Sequence, residues 1–220
     1  MISITGIGWI NQQEYGCVMM GIQESYAVDA LPKKKIFSHA FKNFGRLDSV
    51  SKMTCSAIAL ALKDAGIDCP PESKRDIGTI GSGSSGSLQS DLDYFRDYLD
   101  SGRTLSRGNL FIYTLPSSPA GEAAIHFGLQ GPVFYIAGPG NSVATALRTA
   151  SEIILNNEAS VMLAGMTGPD SAVYFVLKKT SDAAGDVLCS YDYAMKVMET
   201  NSGLDDMVRE FLNSMKGSVV

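Results

Sequence analysis

A chain of 220 residues with 45% apolar side chains can bury a core as one domain, or one domain with an appendage, and is too short for two full domains. Its 23 acidic and 18 basic residues are scattered to a net charge of −5, so it carries no electrostatic footprint for nucleic acid. No basic region precedes the apolar residues of MISITGIGWI, and no apolar run approaches the roughly 20 residues of a membrane span; a soluble, cytoplasmic protein with no membrane partner is expected.

Taken in chain order, apolar, β-branched runs bounded by glycine at SITGIGWI, DIGTIGSG, GPVFYIAG, SVMLAGMT and AVYFVLKK predict five strands. Between the first two, residues 49–65 predict a helix that starts near Ser49 or Ser51 and stops at Gly66, buried on more than one side. Residues 87–100 place Leu88, Leu92, Phe95 and Leu99 on one face and Asp91, Asp93, Arg96 and Asp97 on the other, a surface helix. Residues 142–156 carry only Arg148 and Glu152 as charges and predict an interior helix.

This alternation implies an α/β fold with a parallel sheet covered by helices on both faces. Only about four residues, Gly168 to Ser171, separate the last two strands, too few for a parallel crossover, so the fifth strand is expected antiparallel. Residues 1–180 are read as the domain. Residues 181–220 are read as an extra strand at DVLCSYDYA and an amphipathic helix, LDDMVREFLNSM, packed on that domain.

Few residues qualify as chemistry-bearing. Cys17, Cys55, Cys69 and Cys189 show no CxxC pairing and no histidine at metal-ligand spacing; reduced thiols and no metal are expected. GSGSSG, residues 81–86, matches a dinucleotide fingerprint, but the acidic residue expected about 20 residues on falls within the surface helix, and a plain glycine-serine loop is the simpler reading. No cofactor is expected. Lys33, Lys34 and Lys35 read as a solvated connection. His126, at a helix end in AGEAAIHFGLQGP, is a weak catalytic candidate beside the usual reading of a ring bonded to terminal carbonyls.

YIAGPGNSVATAL, residues 135–147, is a strand, a tight turn and a helix. Pro139 removes an amide donor and the Lys-Ser/Thr ending of a phosphate loop is missing. The turn has the shape of a nucleophile elbow, Gly138, Gly140, Asn141 and Ser142, with glycine at its apex and Ser142 placed to cap the helix.

In their order, ISITGIG, GRLDSVSKMTCSAIALALKDAGI, IGTIGSGSSG, LFIYTLPSSPAGEAAIHFGLQGPVFYIAG and ASVMLAGMTG resemble the N-terminal half of β-ketoacyl synthases, over roughly residues 1–180. The resemblance implies a thiolase-like half-fold, a five-stranded mixed sheet with helices on both faces. It places the family's nucleophilic cysteine on Gly140, where there is no side chain to acylate. The two histidines and the lysine of the family's second half are expected to be missing from a chain of this length, and the turn Gly168–Ser171 stands where a long pocket-building loop is usual. The resemblance further implies dimerisation through the strand before the elbow, here Val133, Phe134, Tyr135 and Ile136.

The reading that follows is a non-catalytic ketosynthase-like subunit of fatty-acid or polyketide-type biosynthesis. Its implied partners are a second copy or a full-length ketosynthase, and an acyl carrier protein. The alternatives are a residual thioester enzyme using His126 and Ser142 on acyl-CoA or acyl carrier protein, and nucleotide binding at GSGSSG.

Overall fold

The computed structural model describes residues 1–27, 30–70, 72–104, 107–138, 142–183, 187–201 and 203–217. Its strands are β1 (Ile2–Asn11), β2 (Glu14–Cys17), β3 (Ile22–Ser25), β4 (Ile77–Gly83), β5 (Val133–Ala137), β6 (Val161–Thr167), β7 (Ser171–Lys179) and β8 (Cys189–Ser190). The helices are α1 (Lys33–Ile36), α2 (Ser49–Asp64), α3 (Leu88–Asp100), α4 (Gly108–Phe111), α5 (Ser118–Phe127), α6 (Ser142–Leu155), α7 (Tyr191–Thr200) and α8 (Leu204–Gly217). Short 3-10 turns at Phe44–Arg46, Ile112–Thr114 and Thr180–Asp182 complete the regular structure among the described residues.

One mixed sheet runs β3-β2-β1-β7-β6-β4-β5, with β8 added to β1. The five predicted strands run side by side in it as β1-β7-β6-β4-β5: β4 pairs parallel with β5 and β6, and β7 lies antiparallel to both β6 and β1. The short β6–β7 turn is closed by the Gly168 N–H donating to the Ser171 carbonyl at 2.8 Å. The expected count of five strands is corrected to eight. β2 and β3 are four-residue segments containing Gly, Gln, Glu and Ser, with little β propensity of their own; β2 is a strand because β1 offers a partner edge, and β3 because β2 then does.

The stretch 186–193 is also corrected. Asp186 lies outside the described residues, and only Cys189 and Ser190 pair as strand, against Ser3 and Ile4. The Ser190 hydroxyl then accepts the Tyr193 N–H at 3.2 Å, capping α7, so the chain turns helical where continued strand was expected.

Two apolar clusters lie on the two sheet faces. On one, α2 and α5 cover Ile10, Tyr15, Leu163, Tyr174 and Val176. On the other, α6, α7 and α8 cover Ile4, Ile7, Trp9, Ile80, Met162 and Phe175. A register shift between Ile4 and Gly6 in β1 changes which parity faces which side, so Ile2 and Ile4 join Ile7 and Trp9 on the second face.

The first face explains TGIG. A Cβ built on Gly8 would lie 2.1 Å from the Ala61 backbone nitrogen, and one on Gly6 2.6 Å from that of Ala65, so both glycines let α2 rest directly on β1. α2 starts at Ser49, as expected, and the Asp48 carboxylate caps it by accepting the Ser51 N–H at 2.8 Å. At its other end the buried Asp64 carboxylate accepts the N–H groups of Ile7, Met19 and Met20, fixing the β2–β3 connection to the helix.

Candidate functional site

β4 and β5 are adjacent and parallel, but the chain leaving β4 returns through α5 on one face while that leaving β5 returns through α6 on the other. Such a switch point opens a crevice beyond the carboxyl ends of the two strands. A cavity of about 240 Å³ lies there, walled by Leu88, Leu92, Leu115 and Pro116, with Tyr135, Thr54, Thr167 and Tyr174 reaching it from the sheet and α2.

GSGSSG helps to build this cavity. Gly81 and Gly83 lie inside β4, and the turn is left to Ser84, Ser85 and Gly86. A Cβ on Gly81 would sit 3.1 Å from the Tyr135 ring and 3.2 Å from the Tyr174 oxygen; one on Gly83 would sit 2.5 Å from the Tyr135 oxygen. The glycines therefore make room for two tyrosines, a packing role the fingerprint reading does not contain. Burial raises the pKa of the Tyr135 hydroxyl.

Beneath the apolar wall, Thr54 and Thr167 share a hydroxyl–hydroxyl bond of 2.8 Å. Tyr174, fully buried, lines the same cavity, and desolvation holds its hydroxyl above the usual phenol range. These three come from α2, β6 and β7, and sequence reasoning missed them. The available signal was a tyrosine inside the otherwise aliphatic AVYFVLKK, since a buried phenol needs a hydrogen-bond partner.

The elbow is described only at its ends. Gly138 follows β5, with nothing within 4 Å of a Cβ built there, while Gly140 and Asn141 lie outside the described residues. Ser142, expected as the helix cap, is the first residue within α6. His126 stacks on Phe41 with ring centroids 3.6 Å apart and an interplanar angle of 5°. It is six residues further along α5 than Ala120, which lines the cavity, and it lines separate surface hollows. Burial, and secondarily His39, lowers its pKa to about 4.

The lysine run forms the single turn α1, where Lys35 pairs with Glu24 at 2.7 Å and Lys33 lies over the Phe44 ring. No cysteine thiol is poised as a nucleophile. Burial pushes Cys17 and Cys189 up to about 12, and raises Cys69 and, most of all, the fully enclosed Cys55. Among the described residues no three His, Cys, Asp or Glu side chains gather as a metal site, and no helix is long and apolar enough to cross a membrane.

β5 is the outer strand of the sheet and, among the described residues, pairs with β4 alone. Val133 to Ile136 therefore present an uncharged backbone edge. Beside the cavity, α3 buries none of its residues: Leu88, Leu92, Phe95 and Leu99 are each at least 41% exposed, as are Phe111, Ile112 and Leu115 in the following turns.

Comparison with known proteins agrees with this architecture. The model of the "Beta-ketoacyl synthase, N-terminal domain" family matches residues 22–175. Nodulation protein E of Rhizobium meliloti (strain 1021) is 29% identical over 159 residues, covering 71% of this chain and 38% of that protein; the chain thus spans little more than a third of that relative.

Among solved structures, the ishigamide ketosynthase/chain length factor is similar with a TM-score of 0.61 at 18% identity, over 83% of this chain and 63% of that one. AntDE:AntF, a type II PKS acyl-carrier protein in complex with its ketosynthase bound to the hexaketide, gives 0.57 at 14% identity, over 82% and 58%. These likenesses bear out the thiolase-like α/β fold. Through the match over residues 22–175, which is more than half its length, the chain belongs to the β-ketoacyl synthase family.

Proposed function

We propose that this chain is a partner subunit of ketosynthase-type biosynthesis that works by association, without forming an acyl-enzyme. The observation that carries the reading is Gly140 at the elbow apex, in a chain whose four thiols are all held protonated by burial. Covalent thioester chemistry needs a thiolate at a helix N-terminus or beside a base, and none of the four cysteines has that setting. A backbone amide donor alone stabilises an oxyanion without supplying anything to attack with.

Association is supported by the free edge of β5 and by the exposed apolar side chains of α3 and the turns after it. An unpaired, uncharged edge strand is a template for a strand from another chain, and contiguous exposed apolar surface marks an interaction face. The structural likeness to a ketosynthase/chain length factor supports a ketosynthase as the partner, and the likeness to a carrier-protein complex supports a carrier protein as a transient second one.

The test is co-expression with ketosynthases and acyl carrier proteins from the same genome, followed by light scattering on the purified species and intact-mass analysis after incubation with malonyl-CoA. A stable dimer, with the chain's mass unchanged, is the expected result. A monomer that captures neither protein, or a mass increase matching an acyl adduct, overturns the reading. Val133→Lys, on the exposed edge, should weaken the dimer at least tenfold without unfolding the chain.

A further inference from the structure

The second face of the sheet continues past its apolar cluster onto β2 and β3. Tyr15 and Cys17 point to the first face, so Glu14 and Gly16 lie on the second, opposite Ser25 and Gln23 of β3. Between these strands and the overhanging α8 lies a hollow of about 330 Å³. Of its lining only Gln23 falls within residues 22–175, so the match to the ketosynthase family does not account for it.

Trp9 supplies the hollow with a donor that has nothing to donate to. It is 2% exposed, and its indole N–H is unpartnered. A buried donor in that state is destabilising and rare. The Nε1 edge lies over Gly16, where a Cβ would come within 2.9 Å of it, and Gly16 pairs with Gln23. The donor is therefore directed along the floor of the hollow, and what it lacks is an acceptor oxygen.

The charged groups of the lining lack the opposite partner. Glu14 accepts the Gln23 amide at 3.0 Å and Asp205 accepts the Asn11 amide at 3.3 Å, both from neutral donors. Asn11 holds the two together, since its side-chain oxygen also accepts the Glu14 N–H at 2.7 Å. Arg209 is directed at Asp206, 3.7 Å away, and among the described residues neither Glu14 nor Asp205 forms an ion pair. Gln13 and Asn213 are exposed amides that suit either polarity. Two carboxylates against one guanidinium leave the lining one positive charge short. Val208 and Leu212 add an apolar strip from α8.

We propose that this hollow binds a small molecule with an ammonium group next to a neutral carbonyl, as in the amide of an apolar amino acid. The ammonium donates to Glu14 and Asp205, the carbonyl accepts the Trp9 N–H, and the side chain lies along Val208 and Leu212. Glu14 is two residues along β2 from Gly16, about 7 Å, and with hydrogen bonds of about 3 Å at each end one α-amino carbonyl unit spans that gap. Occupancy is independent of whether the chain associates with a ketosynthase.

Because Trp9 is the single tryptophan, the nitrogen-15-labelled chain gives one indole N–H resonance, which reads this site directly. It is titrated with leucinamide, with N-acetylleucinamide, which lacks the ammonium, and with leucine, whose carboxylate restores the charge deficit. We expect leucinamide to shift the resonance saturably, N-acetylleucinamide to bind about tenfold more weakly, and leucine about threefold more weakly. The leucine arm separates a free amino acid from one whose carboxyl is amide-linked. Glu14→Gln and Asp205→Asn keep the shape of exposed or half-buried side chains, so the melting temperature should hold while leucinamide binding weakens about fivefold in each. An indole resonance that leucinamide does not move, equal binding of N-acetylleucinamide or leucine, or undiminished binding in both variants overturns the proposal.

Discussion

His126 shows how strongly a single side chain is governed by its neighbours. Stacked on Phe41 and half enclosed, it stays neutral in the folded chain down to about pH 4, whereas in the unfolded chain it gains a proton near 6.5. Between those values the unfolded state binds more protons, so the stability due to neutral His126 is complete above about 6.5 and declines as pH falls towards 4. We predict that the melting temperature of the native chain falls about 2–4 °C further between pH 7 and pH 4.5 than that of His126→Phe, measured by circular dichroism. Equal slopes would show that the ring is not held neutral. A second residue-scale prediction concerns Gly140→Cys. A thiol placed just ahead of α6 should be alkylated by iodoacetamide at least tenfold faster than Cys17, Cys55, Cys69 or Cys189, as read by peptide mass spectrometry. A rate no higher than theirs would mean the turn does not present its apex residue.

At the scale of elements, the contact of β1 with α2 depends on the absence of two methyl groups. Gly8→Ala would drive a Cβ into backbone at 2.1 Å, which no rotamer change relieves, and should cost about 3 kcal/mol in urea denaturation. Gly45→Ala, with nothing within 4 Å, should stay within about 0.5 kcal/mol. Replacing glycine by alanine restricts the unfolded chain and by itself favours folding, so a loss below about 1 kcal/mol at Gly8 would mean that the close approach of α2 is relieved at little cost. Sequence patterning reached the elements whose own residues decide them: the strands β1, β4, β5, β6 and β7, the antiparallel return of β7, and α2, α3, α6 and α8 all follow from periodicity and turn length. It did not reach β2, β3 and α7. β2 owes its conformation to pairing with β1 and β3 to pairing with β2, and α7 begins where one serine cap outweighs a strand-like run. Nor did the spacing of Leu88, Leu92, Phe95 and Leu99 show that the face they share would remain uncovered.

Over the whole molecule, α7 and α8 close the second face of the sheet. Phe211 is fully buried against Phe175 and Tyr193, with Val197, Met198, Met207 and Val208 around it. Phe211→Ala should therefore cost about 3–5 kcal/mol, read as a lower urea midpoint with an unchanged slope. A loss below about 1 kcal/mol would mean that this layer is peripheral. The cavity is likewise a whole-molecule feature. Its lining is drawn from α2, β4, α3, the turn before α5, β5, β6 and β7, residues separated by more than a hundred positions, and no local pattern brings Thr54 to Thr167. Gly140 could be named from the sequence because the resemblance aligns one short motif; the bond between Thr54 and Thr167 could not, because it exists only once α2 and β6 meet.

The register shift in β1 has a consequence for how this protein can vary. Ahead of it the even-numbered residues Ile2 and Ile4 face α6 to α8, and beyond it the odd-numbered Ile7 and Trp9 do. The strand thus carries a phase correction one residue wide. Loss of Thr5 would remove the bulge and leave a regular strand in which Ile2, Ile4, Ile7 and Trp9 still share one face, whereas one residue inserted between Ile7 and Gly8 would turn either Ile7 or Trp9 towards α2, where Gly6 and Gly8 leave no space. Alternation on either side of the bulge, more than side-chain identity, is what this strand must keep.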